Sequence, residues 1–204
     1  MSDTLYYEVG VLDEDIIYLN TLQEDPIVRR WLGMLRRCYS GIALKDNPSY
    51  LNVYVCEDWL KFSNFKSWMI GKDWKDNHLD KDLLGDGTLY QPSFCCFIPP
   101  KINYFMVESK SKRGDCPLGV YYRKDRDYYE AYCNDPSTTK KVRLGVFDDP
   151  HHASVAYQQQ KLIFAKSLAS EIKDPKVSER FVLKYELKLQ DAKTTLKRFL
   201  EENE

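Results

Sequence analysis

The eight residues from Glu108 to Asp115, ESKSKRGD, contain no apolar side chain. A segment with nothing to bury cannot join a core, so it reads as a linker between two bodies that fold on either side of it. The chain has 204 residues, which allows two small domains, and 43% of them are apolar, enough to give each a core. The expected division is a first domain over 1–110 and a second over 111–204, with the boundary near residue 112.

The two sides carry different patterns. On the first, DPIVRRWLGMLRRCYS predicts a helix with Asp25 as N-cap and Pro26 at its first position. Ile27, Trp31, Met34, Leu35 and Cys38 recur at spacings of three and four and form one apolar stripe. The pairs Arg29–Arg30 and Arg36–Arg37 fall mostly off that stripe and are expected on a solvated face. KDNPSYLNV reads as a loop, because Asn-Pro initiates turns. CEDWLKFSNFKSWMIG then repeats Trp59, Phe62, Phe65, Trp68 and Met69 at helical spacing, a core stripe ended by Gly71. Near the start, VGVLDEDIIYL reads as a strand and turn.

On the second side, PLGVYYRKDRDYYEAYC alternates as two strands around an Arg-Asp turn, CNDPSTTKK is a turn, and VRLGVF is a third strand. Asp148, Asp149 and Pro150 make a helix start. Ala153, Ala156, Tyr157, Gln160, Lys161 and Phe164 continue that helix. His151 and His152 in its first turn read as exposed polar residues with no acid placed to pair with them. A last helix is expected over 177–204, with Phe181, Tyr185, Leu189 and Leu196 on one side. The expected fold class is α+β: a helical and strand-containing first domain, then a small three-stranded antiparallel sheet packed on a helix, then a C-terminal helix.

The formal net charge is −1 and the pI about 6.3, which argues against bulk affinity for nucleic acid. The distribution matters more. Between Lys110 and Arg143 nine Lys/Arg stand against five Asp/Glu, whereas the preceding residues carry an acidic excess. Phosphate neutralisation needs only local charge. No run of about 18 apolar residues is present, so no membrane span is expected. The N-terminus is acidic and lacks the basic start of a signal peptide, which points to the cytoplasm and to six reduced cysteines.

The chemistry-bearing stretch is NHLDKDLLGDGTLYQPSFCCFIPPKIN, from Asn77 to Asn103. If HLDKD is a strand, His78, Asp80 and Asp82 share one face and Leu79 and Lys81 the other. Carboxylates suit magnesium or manganese, and an imidazole suits deprotonation of water near neutral pH. Phosphodiester cleavage needs that pairing. An Asn amide oxygen about two dozen residues downstream could complete a metal shell. The same residues also read as a solvated strand face, GDGTLY as a plain turn and FCCFIPP as a buried strand ended by prolines. Cys38, Cys56 and one of Cys95 and Cys96 could join His78 around zinc, although no C-x-x-C spacing supports it; buried thiols are the simpler reading, and Cys116 and Cys133 read as packing.

RWLGMLRRCYS, YVCEDWLKFSNFKSWM and HLDKDLLGDGTLYQPSFCCFIPPKIN together resemble phage HNH-type endonucleases of the homing family, in particular the free-standing ones found in phages and bacteria. PLGV, YYEAY, RLGVF and ASVAY resemble the DNA-binding domain of plant ethylene-response factors, which such phage proteins often carry C-terminally. The matches span roughly residues 6–165. The resemblance implies a ββα-metal nuclease domain with magnesium or manganese, acting on double-stranded DNA, in a host cytoplasm if the chain is phage-encoded. Carried over by position, Asp80 matches the first metal ligand and Asn103 the second, with Asp82 beside them. The general-base position falls on Lys81, which departs from the usual His. A protonated lysine cannot accept a proton but can meet phosphate, so His78 is the alternative base. The other reading is a non-cutting factor that binds DNA or a protein partner. In the second domain the resemblance implies a sheet that enters the major groove, with Arg123, Lys124, Arg126, Lys140, Lys141 and Arg143 as DNA contacts. Against it stands ordinary surface charge, with Tyr121, Tyr122, Tyr128 and Tyr129 packing the sheet.

Overall fold

The computed structural model describes residues 5–14, 25–108 and 115–203. They form a mixed α and β chain that divides into two compact units, Met1–Pro99 and Pro100–Glu204. The expected boundary near residue 112 falls outside the described residues. The helix at 100–106, expected with the first domain, is grouped with the second unit.

The first unit opens with an antiparallel pair, β1 (Leu5–Tyr6) and β2 (Gly10–Val11). The remainder of the expected strand and turn, 15–19, lies outside the described residues. Helix α1 (Pro26–Tyr39) starts as its sequence requires. Asp25 Oδ1 accepts from the amides of Ile27 at 2.6 Å and Val28 at 3.1 Å, satisfying two of the donors that a helix start leaves open. Asp25→Ala is therefore expected to cost about 1 kcal/mol of unfolding free energy, measured as a lower urea midpoint at unchanged slope. The buried stripe is Val28, Trp31, Met34, Leu35 and Cys38, so Val28 takes the place expected for Ile27.

Ser40 ends α1 and caps a short helix, α2 (Gly41–Asp46), inside a stretch expected to be irregular. A 3-10 turn at Pro48–Tyr50 follows. The expected aromatic helix is a 3-10 turn, Glu57–Leu60, running into α3 (Phe62–Ile70), with Gly71 at its end. Trp31, Trp59, Phe62, Phe65 and Met69 are all essentially inaccessible. Trp31 meets Phe62 edge-on at 5.5 Å, and its indole N–H donates to the Trp59 carbonyl at 2.8 Å. Trp59 meets Phe65 at 5.2 Å and Trp68 at 4.5 Å.

Two small sheets complete the unit. Strand β3 (Tyr54–Val55) pairs in parallel with β5 (Leu89–Tyr90), and β4 (His78–Asp80) pairs antiparallel with β6 (Cys96–Ile98). The arginine pairs split. Arg29 and Arg36 are exposed, but Arg30 donates to the Trp74 carbonyl at 3.1 Å and covers that indole, and Arg37 donates to the Tyr90 hydroxyl at 3.2 Å. Half of the expected solvated face is thus tied down by aromatic partners far away in sequence.

In the second unit, α4 (Pro100–Met106) is followed by β7 (Val120–Arg123), β8 (Tyr128–Asn134) and β9 (Lys141–Phe147), an antiparallel sheet in chain order. Helix α5 (Pro150–Leu168) packs on one face of it, closing a core of Val120, Ala131 and Ala153 with Tyr129, Leu144 and Phe147 around it. The three strands and helix match the sequence expectation. Gly119, at φ +77°, precedes β7; a Cβ there would lie 2.1 Å from the Tyr157 ring, so both the backbone and the close packing call for glycine. Asp149 caps α5 through the amides of His151 and His152. Its other carboxylate oxygen pairs with the His152 ring, which corrects the expectation that no acid serves that histidine. His151 stacks on Phe199 at 4.5 Å. The last helix, α6 (Pro175–Glu202), buries Val177, Phe181 and Tyr185 at four-residue spacing, and the latter two enclose Phe105. Leu189 and Leu196 are only half-buried. Among the described residues, no helix is long and apolar enough to cross a membrane.

Candidate functional site

The stretch HLDKD does not continue as one strand. Asp80 is its last strand residue. The Asp80 carboxylate Oδ1 accepts from the amides of Asp82 at 3.1 Å and Leu83 at 2.8 Å, and this local capture turns the chain. His78 and Asp80 therefore share a strand face, as expected, and Asp82 does not. Asp82 stands in the turn, exposed, and accepts from the Lys81 ammonium at 2.7 Å. Lys81 is buried, with its nitrogen 5.2 Å from the Tyr50 ring and 5.8 Å from the Tyr90 ring, so it is withdrawn from any phosphate outside. Gly87, at φ +84°, lets the following loop close over this pair; a Cβ there would meet Asp82 Oδ1 at 2.5 Å. Asp86 in the same loop accepts from the Thr88 amide and hydroxyl, and the Thr88 hydrogen bonds hold its carboxyl below the usual range.

One Asp80 oxygen is committed to two backbone amides, and Asp82 is neutralised by a buried ammonium. Asn103 lies on α4. Among the described residues, no three His, Cys, Asp or Glu side chains gather as a metal site. The cysteines proposed for zinc are free thiols: Cys38, Cys95 and Cys96 are buried and Cys56 is half-buried. Burial pushes the Cys38 thiol up to about 11 and the Cys95 thiol up to about 12, which favours the protonated form.

Of the six cationic candidates of the second unit, Arg123, Lys141 and Arg143 lie on strands of one sheet. The cross-strand register sets Tyr121 opposite Glu130 and Tyr132 opposite Arg143, with an irregularity at Ala131/Tyr132. Because side chains alternate, Tyr121, Arg123, Glu130, Tyr132, Arg143 and Lys141 face away from α5. Arg123 and Arg143 converge on Glu130. Arg123 Nε donates to Glu130 Oε2, while Arg143 donates to Oε1 from Nε at 3.0 Å and Nη2 at 2.7 Å. The carboxylate is covered by the two guanidinium groups, and the Arg123 hydrogen bond, then that of Arg143, holds its pKa below the usual range. The triad carries a net charge of +1. Lys141 sits 4.2 Å from the Tyr121 ring and 4.1 Å from the Tyr132 ring. Lys124 and Arg126 lie in the β7–β8 turn, which Tyr122 braces through Asp127, and Lys140 lies just before β9. Tyr129 packs against the core as expected, but Tyr121 is on the solvent face.

Glu130 and Tyr132 were not among the expected contact residues. Their signal is visible in the period-two alternation of YYEAY, once β8 is known to be central. Comparison with known proteins finds no matching family model, curated protein or solved structure.

Proposed function

We propose that this chain binds double-stranded DNA through the solvent face of β7–β9, as the HNH-type phage proteins it resembles would do with their C-terminal domain. The observation that carries the reading is the Arg123–Glu130–Arg143 triad beside Lys141 and its two tyrosine rings. Free arginine side chains lose rotamer freedom on binding; these two are already held by a shared carboxylate. Guanidinium groups suit guanine edges and phosphate, and a β-ribbon or sheet can enter the major groove, about 12 Å wide. Lys124, Arg126 and Lys140 at the strand ends are placed by chain connectivity to flank that face and meet phosphates. The test is a gel shift of the full chain on duplex DNA at two salt concentrations. Binding that weakens steeply with salt supports the reading; no binding at low salt removes it.

The second reading is hydrolysis by the first unit, favoured by chain order. Strands β4 and β6 pair antiparallel, α4 begins one residue after β6, and Asp80 ends the first strand. Nicking of supercoiled plasmid with magnesium or manganese, lost in Asp80→Asn, would support it. Without nicking, the non-cutting DNA- or protein-binding alternative stands. Asp80 also has a structural role that separates from catalysis. Asp80→Ala leaves two amide donors without their acceptor and is expected to cost about 1–3 kcal/mol in urea unfolding. A variant of unchanged stability would mean that the turn finds other acceptors.

A further inference from the structure

The second unit contains a cavity of about 500 Å³ lined by α4, the β8–β9 turn and α5. Its wall is largely apolar and aromatic, with Tyr104, Phe105, Val107, Cys133 and Tyr157, and Thr139 on the turn side. That volume is in the range of small-molecule sites. One wall residue is out of keeping with the rest. Lys161 is 7% exposed, on the buried stripe of α5 between Tyr157 and Ala165. Its ammonium donates to the Phe105 carbonyl at 2.8 Å and lies 3.3 Å from the Phe105 ring and 5.2 Å from the Tyr185 ring. Among the described residues, no carboxylate forms a salt bridge with it; the Glu108 carboxylate, which attracts it from farther off, is paired with Lys188. A buried cation without an anion is costly, and a Met or Leu would fill the same space without that cost.

The neighbouring charges narrow the choice of anion. Lys101 at the rim is taken by Glu171 at 2.7 Å. Asp135 is held in its own turn by the Ser137 amide at 2.7 Å. A doubly charged phosphate would face one ammonium and a nearby carboxylate, whereas a single carboxylate would balance Lys161 alone. The aromatic rings that line the cavity, those of Tyr104, Phe105 and Tyr157, favour a ring next to that carboxylate. We propose that this cavity is a binding site for a small aryl carboxylate, its anionic group on the Lys161 ammonium and its ring against Phe105 and Tyr157. Burial pushes the Lys161 pKa down to about 8 despite the opposing pull of Cys133 and Glu108, in keeping with an ammonium that lacks a directly bonded anion.

The test compares phenylacetate with phenylacetamide on the full chain, by titration with backbone amide NMR. The two probes share a ring and differ in charge, so the ratio of their dissociation constants isolates the ammonium. Phenylacetate is expected to bind at least about tenfold tighter, since a hydrogen bond to a charged group is involved, and to shift the amides of Asn134 and Thr139. Lys161→Met is expected to abolish the preference. Equal binding of acid and amide, binding of neither, or shifts confined to the solvent face of β7–β9 would overturn the proposal, as would a preference that survives in Lys161→Met. Should that variant not fold, the two probes on the unaltered protein decide.

Discussion

Trp31→Ala is expected to lower the unfolding free energy of the first unit by about 3–5 kcal/mol, enough to leave it largely unfolded if its stability is ordinary. Trp31 is fully buried on α1 between Tyr6 and Phe62, at 5.9 and 5.5 Å between ring centroids. Removing the indole leaves a cavity that rigid aromatic neighbours fill poorly, and it orphans the buried Trp59 carbonyl that accepts its N–H. The close approach of β2 adds to this. A Cβ on Gly10 would lie 2.3 Å from Leu35 Cδ1 and 3.0 Å from the Trp31 ring, so that backbone is fitted to this side chain. Trp31→Phe separates the two contributions. It keeps most of the volume and loses the hydrogen bond, so about 1–3 kcal/mol is expected from the unpaired carbonyl. Urea unfolding followed by near-UV circular dichroism gives both numbers. A Trp31→Ala loss below 1 kcal/mol would mean that this cluster does not hold the unit together.

The helices of this chain were legible because their signals are local. Asp25 and Pro26 mark the start of α1, and Asp149 and Pro150 that of α5, through hydrogen bonds that span two or three residues. Sequence and structure part where a side chain makes a choice that a pattern cannot encode. Alternation in HLDKD suggested five strand residues, but the Asp80 carboxylate captures the next two amides and ends the strand. Arg30 and Arg37 looked solvated because Trp74 and Tyr90, their partners, lie more than forty residues away. Helical periodicity marks Lys161 only as a helix residue, yet its place four residues from both Tyr157 and Ala165 puts it on the apolar stripe. A cation on such a stripe is a sequence signal in its own right. For the sheet, composition located the basic segment, but only the register shows that Glu130 binds two of its arginines.

That register supports the largest functional effect expected. The double variant Arg123→Ala/Arg143→Ala should weaken duplex DNA binding by roughly a hundredfold, taking about 1–3 kcal/mol for each arginine that reads a base. If the two instead meet phosphate, the dependence of log affinity on log salt should fall by about two. Lys124→Ala, in the neighbouring turn, should cost less and equally on all sequences. Glu130→Gln then tests whether holding the arginines matters. Removing a negative charge from the face would, by electrostatics alone, tighten binding to any DNA. If the carboxylate positions both guanidinium groups, the variant binds competitor DNA at least as well while losing preference for its best site, because two freed arginines must be ordered on binding. Glu130 is therefore expected to trade general affinity for selectivity. A Glu130→Gln protein that gains affinity with its selectivity intact would show that the triad is only a surface salt bridge, and a double arginine variant that binds as before would place the DNA elsewhere on the chain.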